Sequence, residues 1–381
     1  MARRVICVMG RVLDQEDGLG VYSTNLLREL VRMDTKSQYV ILFRTPQNAS
    51  LFSQFHNTAT EVIPARRKII WDQLKVPLAA RRFKANIIFN PKFSLPLLSR
   101  CSGVFVLHGS DWYVNPQNYE WWDNFYIRVM LPIYCKKASG LLAISDCIKK
   151  DLVKFAGVKP QKVTVSYAAP SPHFTPNPDP TGLRNFINQY RLPKQFMFSV
   201  ARAYHTGHGG LPYYPGGNLE GLIRGYQIYR SKGGQLPLVI AGKDIEKYLR
   251  VVGFKNSELE GIFLTGFIPH EEIVFGYNLA EFFVLTTLYE SFALPLVEAM
   301  ASGCPAIVPT TGACPEVAGG AARLIDPLDY GDIASAMLEL DASPELRDKM
   351  RKAGLDRAKT FTWNRTAQLT LDVFDAIRPV D

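Results

Sequence analysis

Apolar residues fall along this chain in short solid runs that alternate with longer stretches of helical spacing. The first run, Val5-Ile6-Cys7-Val8-Met9, has the character of a strand buried on both faces. Between Gly20 and Met33 the apolar positions are Val21, Leu26, Leu27, Leu30 and Val31, a spacing of three and four that predicts a helix. Strands are then expected at 39–43, 87–89, 104–107, 141–144 and 163–167, with helices inside 120–137 and at 147–155. Strands that are apolar on both faces and take turns with helices imply a parallel sheet covered by helices.

The pattern lapses between residues 168 and 193, where Pro170, Pro172, Pro176, Pro178 and Pro180 interrupt it. It then resumes with strands at 196–200, 238–241, 262–264, 282–285 and 306–308 and helices at 219–229, 271–280 and 296–302. Three further helices are expected from Tyr330 onward, the last starting near Trp363. The α/β class and a duplicated architecture follow. The expected domains are a Rossmann-like unit at 1–168, a linker at 169–193, a second Rossmann-like unit at 194–360 and a C-terminal helix at 361–381. A chain of 381 residues fits two cores better than one.

Composition adds location and partners. Six cysteines are scattered without a C-x-x-C pair, which suits buried thiols in a reducing compartment. No apolar stretch reaches membrane-spanning length, so the cytoplasm is the expected location, with peripheral attachment to the inner membrane face left open. The formal charge of +9 is uneven: residues 1–170 hold 24 Lys and Arg against 12 Asp and Glu, the remainder 20 against 23. An anionic partner for the first half is therefore expected. The stretch 66–84 mixes cations with Trp71, Leu74 and Leu78 and reads either as a solvated helix face or as a platform for anionic membrane or a lipid-linked phosphate. Nucleic acid is not expected, because no helix-turn-helix, RRM or zinc pattern accompanies the charge. The Trp121-Trp122 pair is expected to pack on a helix or to line an acceptor groove.

The densest chemistry lies at 288–303, a segment that follows a strand and opens a helix. Pro295 suits the first turn and Gly303 a left-handed stop. The amides of 292–296 are then expected at a helix N-terminus, a site suited to phosphate. Glu290 ahead of the helix and Glu298 one turn into it can flank whatever those amides hold and accept from ribose and sugar hydroxyls, as a nucleotide sugar would require.

This segment, E-S-F-A-L-P followed by E-A-M-A-S-G, resembles the E-x7-E motif of the retaining family 4 glycosyltransferases, usually E-G-F-G-L-P with E-A-M-A-x-G. Pro315-Glu316-Val317, the run 322–327 and Phe361-Thr362-Trp363 are also similar to the family. So are Gly18-Leu19-Gly20-Val21-Tyr22, the strand end Val106-Leu107-His108-Gly109, and Ile144-Ser145 with Lys150-Asp151-Leu152. The resemblance implies the GT-B fold, two Rossmann-like domains facing across a cleft with the last helix returning to the first domain. It also implies transfer of a hexose such as mannose or glucose from a nucleotide-diphosphate sugar to a glycan or lipid-linked acceptor in surface polysaccharide synthesis, with no cofactor.

The same resemblance implies roles. Glu298 would bind ribose and Glu290 the transferred sugar. The diphosphate would be held by the backbone of Phe292, Ala293 and Leu294 and by Arg202. Gly18 and Gly20 would let the first domain approach the phosphates, and His108 would stand near the acceptor hydroxyl. The family's lysine just before an asparagine is Gly217 here, a loss expected to slow transfer unless His205, His208 or Lys243 substitutes for its charge, and Lys243 is counted in the donor site. With no D-x-D triplet, no metal is expected on the diphosphate. Two rivals remain: a catalytically silent binding or scaffolding relative, and an NAD(P)-dependent Rossmann enzyme. The second lacks G-x-G-x-x-G after its first strand and an acid after its second.

Overall fold

The computed structural model describes residues 3–15, 18–201 and 217–377. The chain divides into two compact units, Met1–Ala169 with Thr362–Asp381, and Pro170–Phe361.

In the first unit, β1 (Arg4–Met9), β2 (Ser37–Phe43), β3 (Thr58–Val62), β4 (Ile87–Asn90), β5 (Ser102–Leu107), β6 (Gly140–Ala143) and β7 (Val163–Val165) form one sheet in the order β3-β2-β1-β4-β5-β6-β7. Every pairing is parallel. The central strands β4, β5 and β6 are buried along their whole length, which is why they read as solid apolar runs. Strand order reverses its direction of growth between β1 and β4, the position at which open α/β sheets leave a crevice beyond the strand C-termini.

The helix Trp363–Asp375 belongs to this unit although 192 residues of the other separate it from β7. Thr366 donates through Oγ1 to the Tyr167 carbonyl at 2.6 Å, and Arg4 Nη1 reaches Asp375 Oδ1 at 2.6 Å. Phe374 meets Phe89 edge to face at 5.2 Å. A Cβ on Gly140 would stand 2.5 Å from Val373 Cγ1, so the absence of a side chain in β6 is what lets the helix settle onto the sheet.

The second unit holds β8 (Met197–Val200), β9 (Leu238–Ala241), β10 (Ile262–Gly266), β11 (Phe282–Val284), β12 (Ala306–Pro309) and β13 (Arg323–Ile325), again parallel, in the order β10-β9-β8-β11-β12-β13. The reversal here lies between β8 and β11. Met197, Leu238, Ile240, Phe282, Val284 and Ile307 supply its strand core.

The stretch expected as a linker is not bare. Residues 180–190 form the helix Pro180–Tyr190, capped by Asp179 accepting from the Gly182 amide at 2.8 Å. Phe186 packs on Phe275 at 5.7 Å, which ties this helix to the second unit. The prolines had suggested irregular chain, but Asp-Pro at a helix start is itself an N-terminal signal.

Candidate functional site

The reversal of the second sheet brings the start of the helix Leu219–Ser231, which follows β8 in the chain, beside the loop after β11. β11 ends at Val284, and the chain crosses through Thr286, Thr287 and Glu290 to the helix Leu294–Ala301. Asn218, with φ +47, caps the helix that follows β8, accepting from the Gly221 amide. Its Nδ2 donates to the carbonyls of Thr286 at 2.8 Å and Pro327 at 2.7 Å, which ties this helix start to the chain after β11 and to the chain after β13.

Glu290 is half-buried and held by its backbone. Its carbonyl accepts from the Ala313 amide at 2.8 Å, and Gly312, at φ +61, lies so close that a Cβ there would stand 2.3 Å from the same oxygen. Ala293 takes the left-handed conformation, φ +63 and ψ +57, at the position where the related motif carries glycine. Left-handed backbone costs an alanine about 1 kcal/mol, a strain that marks the turn into this helix. The amides of Ala293 and Leu294 have no hydrogen-bond partner among the described residues. The Leu296 amide is already engaged by the Ala293 carbonyl and Pro295 has no N–H, so the expected cradle of 292–296 narrows to residues 292–294. The Phe292 side chain is buried edge to face against Phe361 at 5.6 Å, which anchors the turn.

Glu298 is 4% exposed. Its Oε1 lies 2.8 Å from His270 Nε2, and the buried Tyr277 stands beside it, its hydroxyl without full hydrogen-bond geometry to any described partner. Burial pushes the Glu298 carboxyl above the ordinary range against the pull of His270. Burial draws His270 down, but the hydrogen bond and charge of Glu298 outweigh it and the imidazole ends above its usual value. Together the pair therefore retains a proton to higher pH than either group would alone. His173 donates to the His270 carbonyl at 3.3 Å from behind.

Lys243 follows β9 and is exposed. Arg202, His205 and His208 lie outside the described residues. Thr287 Oγ1 and Thr311 Oγ1 are buried with no partner among the described residues, on either side of Glu290 in sequence.

The remaining expected residues lie in the first unit, beyond the C-termini of its strands. His108 follows β5; its Nε2 is 2.7 Å from the Pro91 carbonyl, which can only accept, so that nitrogen carries the proton. Tyr22 meets the His108 ring edge to face at 4.6 Å. Gly18 and Gly20 lie in the first turn of the helix Gly18–Met33. Space around Gly18 is open, whereas a Cβ on Gly20 would stand 1.7 Å from the Gln15 carbonyl oxygen, so Gly20 is required by its own chain.

Sequence comparison matches residues 17–169 to the model described as Glycosyltransferase Family 4 and residues 214–357 to that of Glycosyl transferases group 1. The chain belongs to the family 4 glycosyltransferases. Among its relatives, the serotype-specific mannosyltransferase WbdA of Escherichia coli is 24% identical over 280 residues, 72% of this chain and 32% of that protein. The chain thus spans about a third of the length of WbdA. The O-antigen chain mannosyltransferase B of Escherichia coli is 25% identical over 300 residues, 78% of this chain and 76% of that one. Among solved structures, Anabaena HepE in complex with UDP-glucose superposes with a TM-score of 0.72 at 14% identity, covering 99% of this chain and 100% of that one. This family 4 chain therefore has the GT-B fold, in keeping with its two parallel sheets.

Several residues of the site carry no signal in the pattern. His270 and Tyr277, Gly312, and the hydroxyls of Thr287 and Thr311 were not expected. Asn218 was a landmark only as the residue after the missing lysine.

Proposed function

We propose that this chain transfers a hexose, mannose or glucose, from a nucleotide-diphosphate sugar to a glycan or lipid-linked acceptor in surface polysaccharide synthesis, with retention and without a metal. One observation carries the reading: at the reversal of the second sheet, a strained turn presents the amides of Ala293 and Leu294 at a helix start, with Glu290 before them and Glu298 one turn beyond. A helix N-terminus with available amides attracts a diphosphate. Mannosyltransferase relatives and a GT-B neighbour holding UDP-glucose support the same donor class.

In this reading the amides of Ala293 and Leu294, with Arg202 and Lys243, stabilise the charge that grows on the leaving diphosphate. Glu290 orients the hexose and Glu298, fixed by His270, the ribose. The bond from the anomeric carbon to the phosphate oxygen breaks on the face where the acceptor oxygen bonds. The acceptor proton passes to the departing phosphate oxygen. His108 positions the acceptor hydroxyl, and no protein nucleophile is needed.

The test is titration calorimetry with UDP, GDP and ADP, followed by transfer assays across a donor panel and determination of the product anomer. Glu290→Ala and Arg202→Ala are each expected to abolish transfer with the fold intact. Unchanged rates in both would overturn the assignment. Because Gly217 stands where the family has lysine, tight nucleotide binding without turnover of any donor would favour a silent scaffold instead.

A further inference from the structure

The helix Trp121–Lys137 buries Leu131, Tyr134 and Cys135 against its unit. At roughly 100° per residue, Trp122, Phe125, Val129 and Ile133 fall on the opposite side, where a helix on a soluble protein carries polar residues. All four are exposed, Trp122 at 64% and Phe125 at 60%. Trp121 stacks on Trp122 with centroids 3.5 Å apart, and the pair, expected to pack on a helix or to line an acceptor groove, stands exposed to solvent.

A second apolar face adjoins it. The consecutive helical segments Lys68–Ile70, Trp71–Lys75 and Val76–Arg82 bury Trp71, Val76 and Ala80 and expose Ile70, Leu74 and Leu78, four residues apart. Tyr126 and Tyr134 from the first helix line a cavity of about 190 Å³ with Ile69, Asp72 and Gln73 from the second, so the two faces are neighbours. Gln73 also accepts from the Leu97 amide and donates to the Leu95 carbonyl, fixing beside them a loop whose Leu98 is 88% exposed. Residues 66–84 contain seven Lys and Arg against one acid, Asp72, which is buried and paired with Lys68 at 3.0 Å. Arg66, Arg67 and Lys75 are exposed at this rim.

We propose that the first unit docks through these faces onto the surface of an anionic lipid bilayer. Exposed tryptophans and leucines suit the boundary between headgroups and acyl chains, and the cations suit anionic headgroups. A second copy would bring the same cations together and meet repulsion instead. No helix among the described residues is long and apolar enough to cross a membrane, so this would be attachment to one face. The proposal does not depend on the transfer reading above.

The experiment is sedimentation with vesicles of phosphatidylcholine containing roughly one-third phosphatidylglycerol, alongside tryptophan emission. The wild-type chain is expected to bind, with a blue shift, and to bind pure phosphatidylcholine far less. A triple Leu78→Ser, Trp122→Ser, Phe125→Ser variant, altered only at side chains already in solvent, is expected to bind at least ~10-fold more weakly. Arg66→Gln, Arg67→Gln and Lys75→Gln are expected to weaken binding about 5-fold each and to flatten its salt dependence. If the triple variant fails to fold, the charge variants decide. Absence of wild-type binding at low salt, or binding indifferent to both sets, would overturn the proposal. So would a dimer in light scattering that the apolar variant abolishes, which would assign the faces to a second copy.

Discussion

Replacing His270 by phenylalanine would leave the Glu298 carboxylate without its imidazole partner at a position 4% exposed. Breaking a buried pair from one side costs about 3–5 kcal/mol. Here a third of the His270 side chain is exposed and solvent recovers part of that, so about 2 kcal/mol is expected near pH 7. In a unit of this size that corresponds to a fall in Tm of about 4–8 °C. The loss should be largest near pH 5, where the imidazole is charged against the carboxylate, and should shrink toward pH 8. His270 titrates above its usual value, so its contribution is whole below pH about 6.5 and fades as pH rises through the folded pKa. Glu298, raised as well, adds a slope of the same sign that begins near pH 4.5. His270→Gln keeps a donor and should recover about half of the stability. In a transfer assay His270→Gln should raise the donor KM more than it lowers kcat, since it loosens a binding group. Thermal melts from pH 5 to 8 decide the matter: equal Tm for wild type and His270→Phe at pH 7, or a larger loss at pH 8 than at pH 5, would refute the reasoning.

Gly312→Ala forces a methyl into the Glu290 backbone at a left-handed position, and kcat/KM should fall on the order of 10- to 100-fold while melting shifts by only a few degrees; an unchanged kcat/KM would show that the Glu290 loop does not need its present position. Asn218→Ala removes two hydrogen bonds and a cap at φ +47, and about 2–3 kcal/mol of stability should disappear in denaturant titration. Burial pushes the Cys135 and Cys304 thiols up to about 12 and raises Cys7 as well, while Cys101 and Cys147 are only half-buried. Ellman's reagent should therefore label no more than Cys101 and Cys147 in the native chain and all six on unfolding, a count read directly from absorbance.

The sheets were legible because their central strands are apolar on both faces; β5 and β12 could hardly be anything else. The edge strand β3, Thr-Ala-Thr-Glu-Val, escaped notice because it is only half-buried and has no solid apolar run. The helix Trp121–Lys137 was legible as a helix, but its outward face was not, since it is apolar on both sides and periodicity alone does not say which side meets the core. The loop and helix carrying Glu290 and Glu298 could be read because the chemistry is contiguous there. The His270 contact could not, since its partner lies 28 residues further on and only the fold brings them together.

The return of the helix Trp363–Asp375 to the first unit has a consequence during synthesis. Residues 1–169 leave the ribosome without the piece that seals β6 and the helix Gly18–Met33, and must wait for 192 more residues to be made. At ordinary translation speeds that is about 10–40 s with an apolar groove uncovered. The unit made first is thus the one completed last, and a chaperone that guards nascent chains would find its target there.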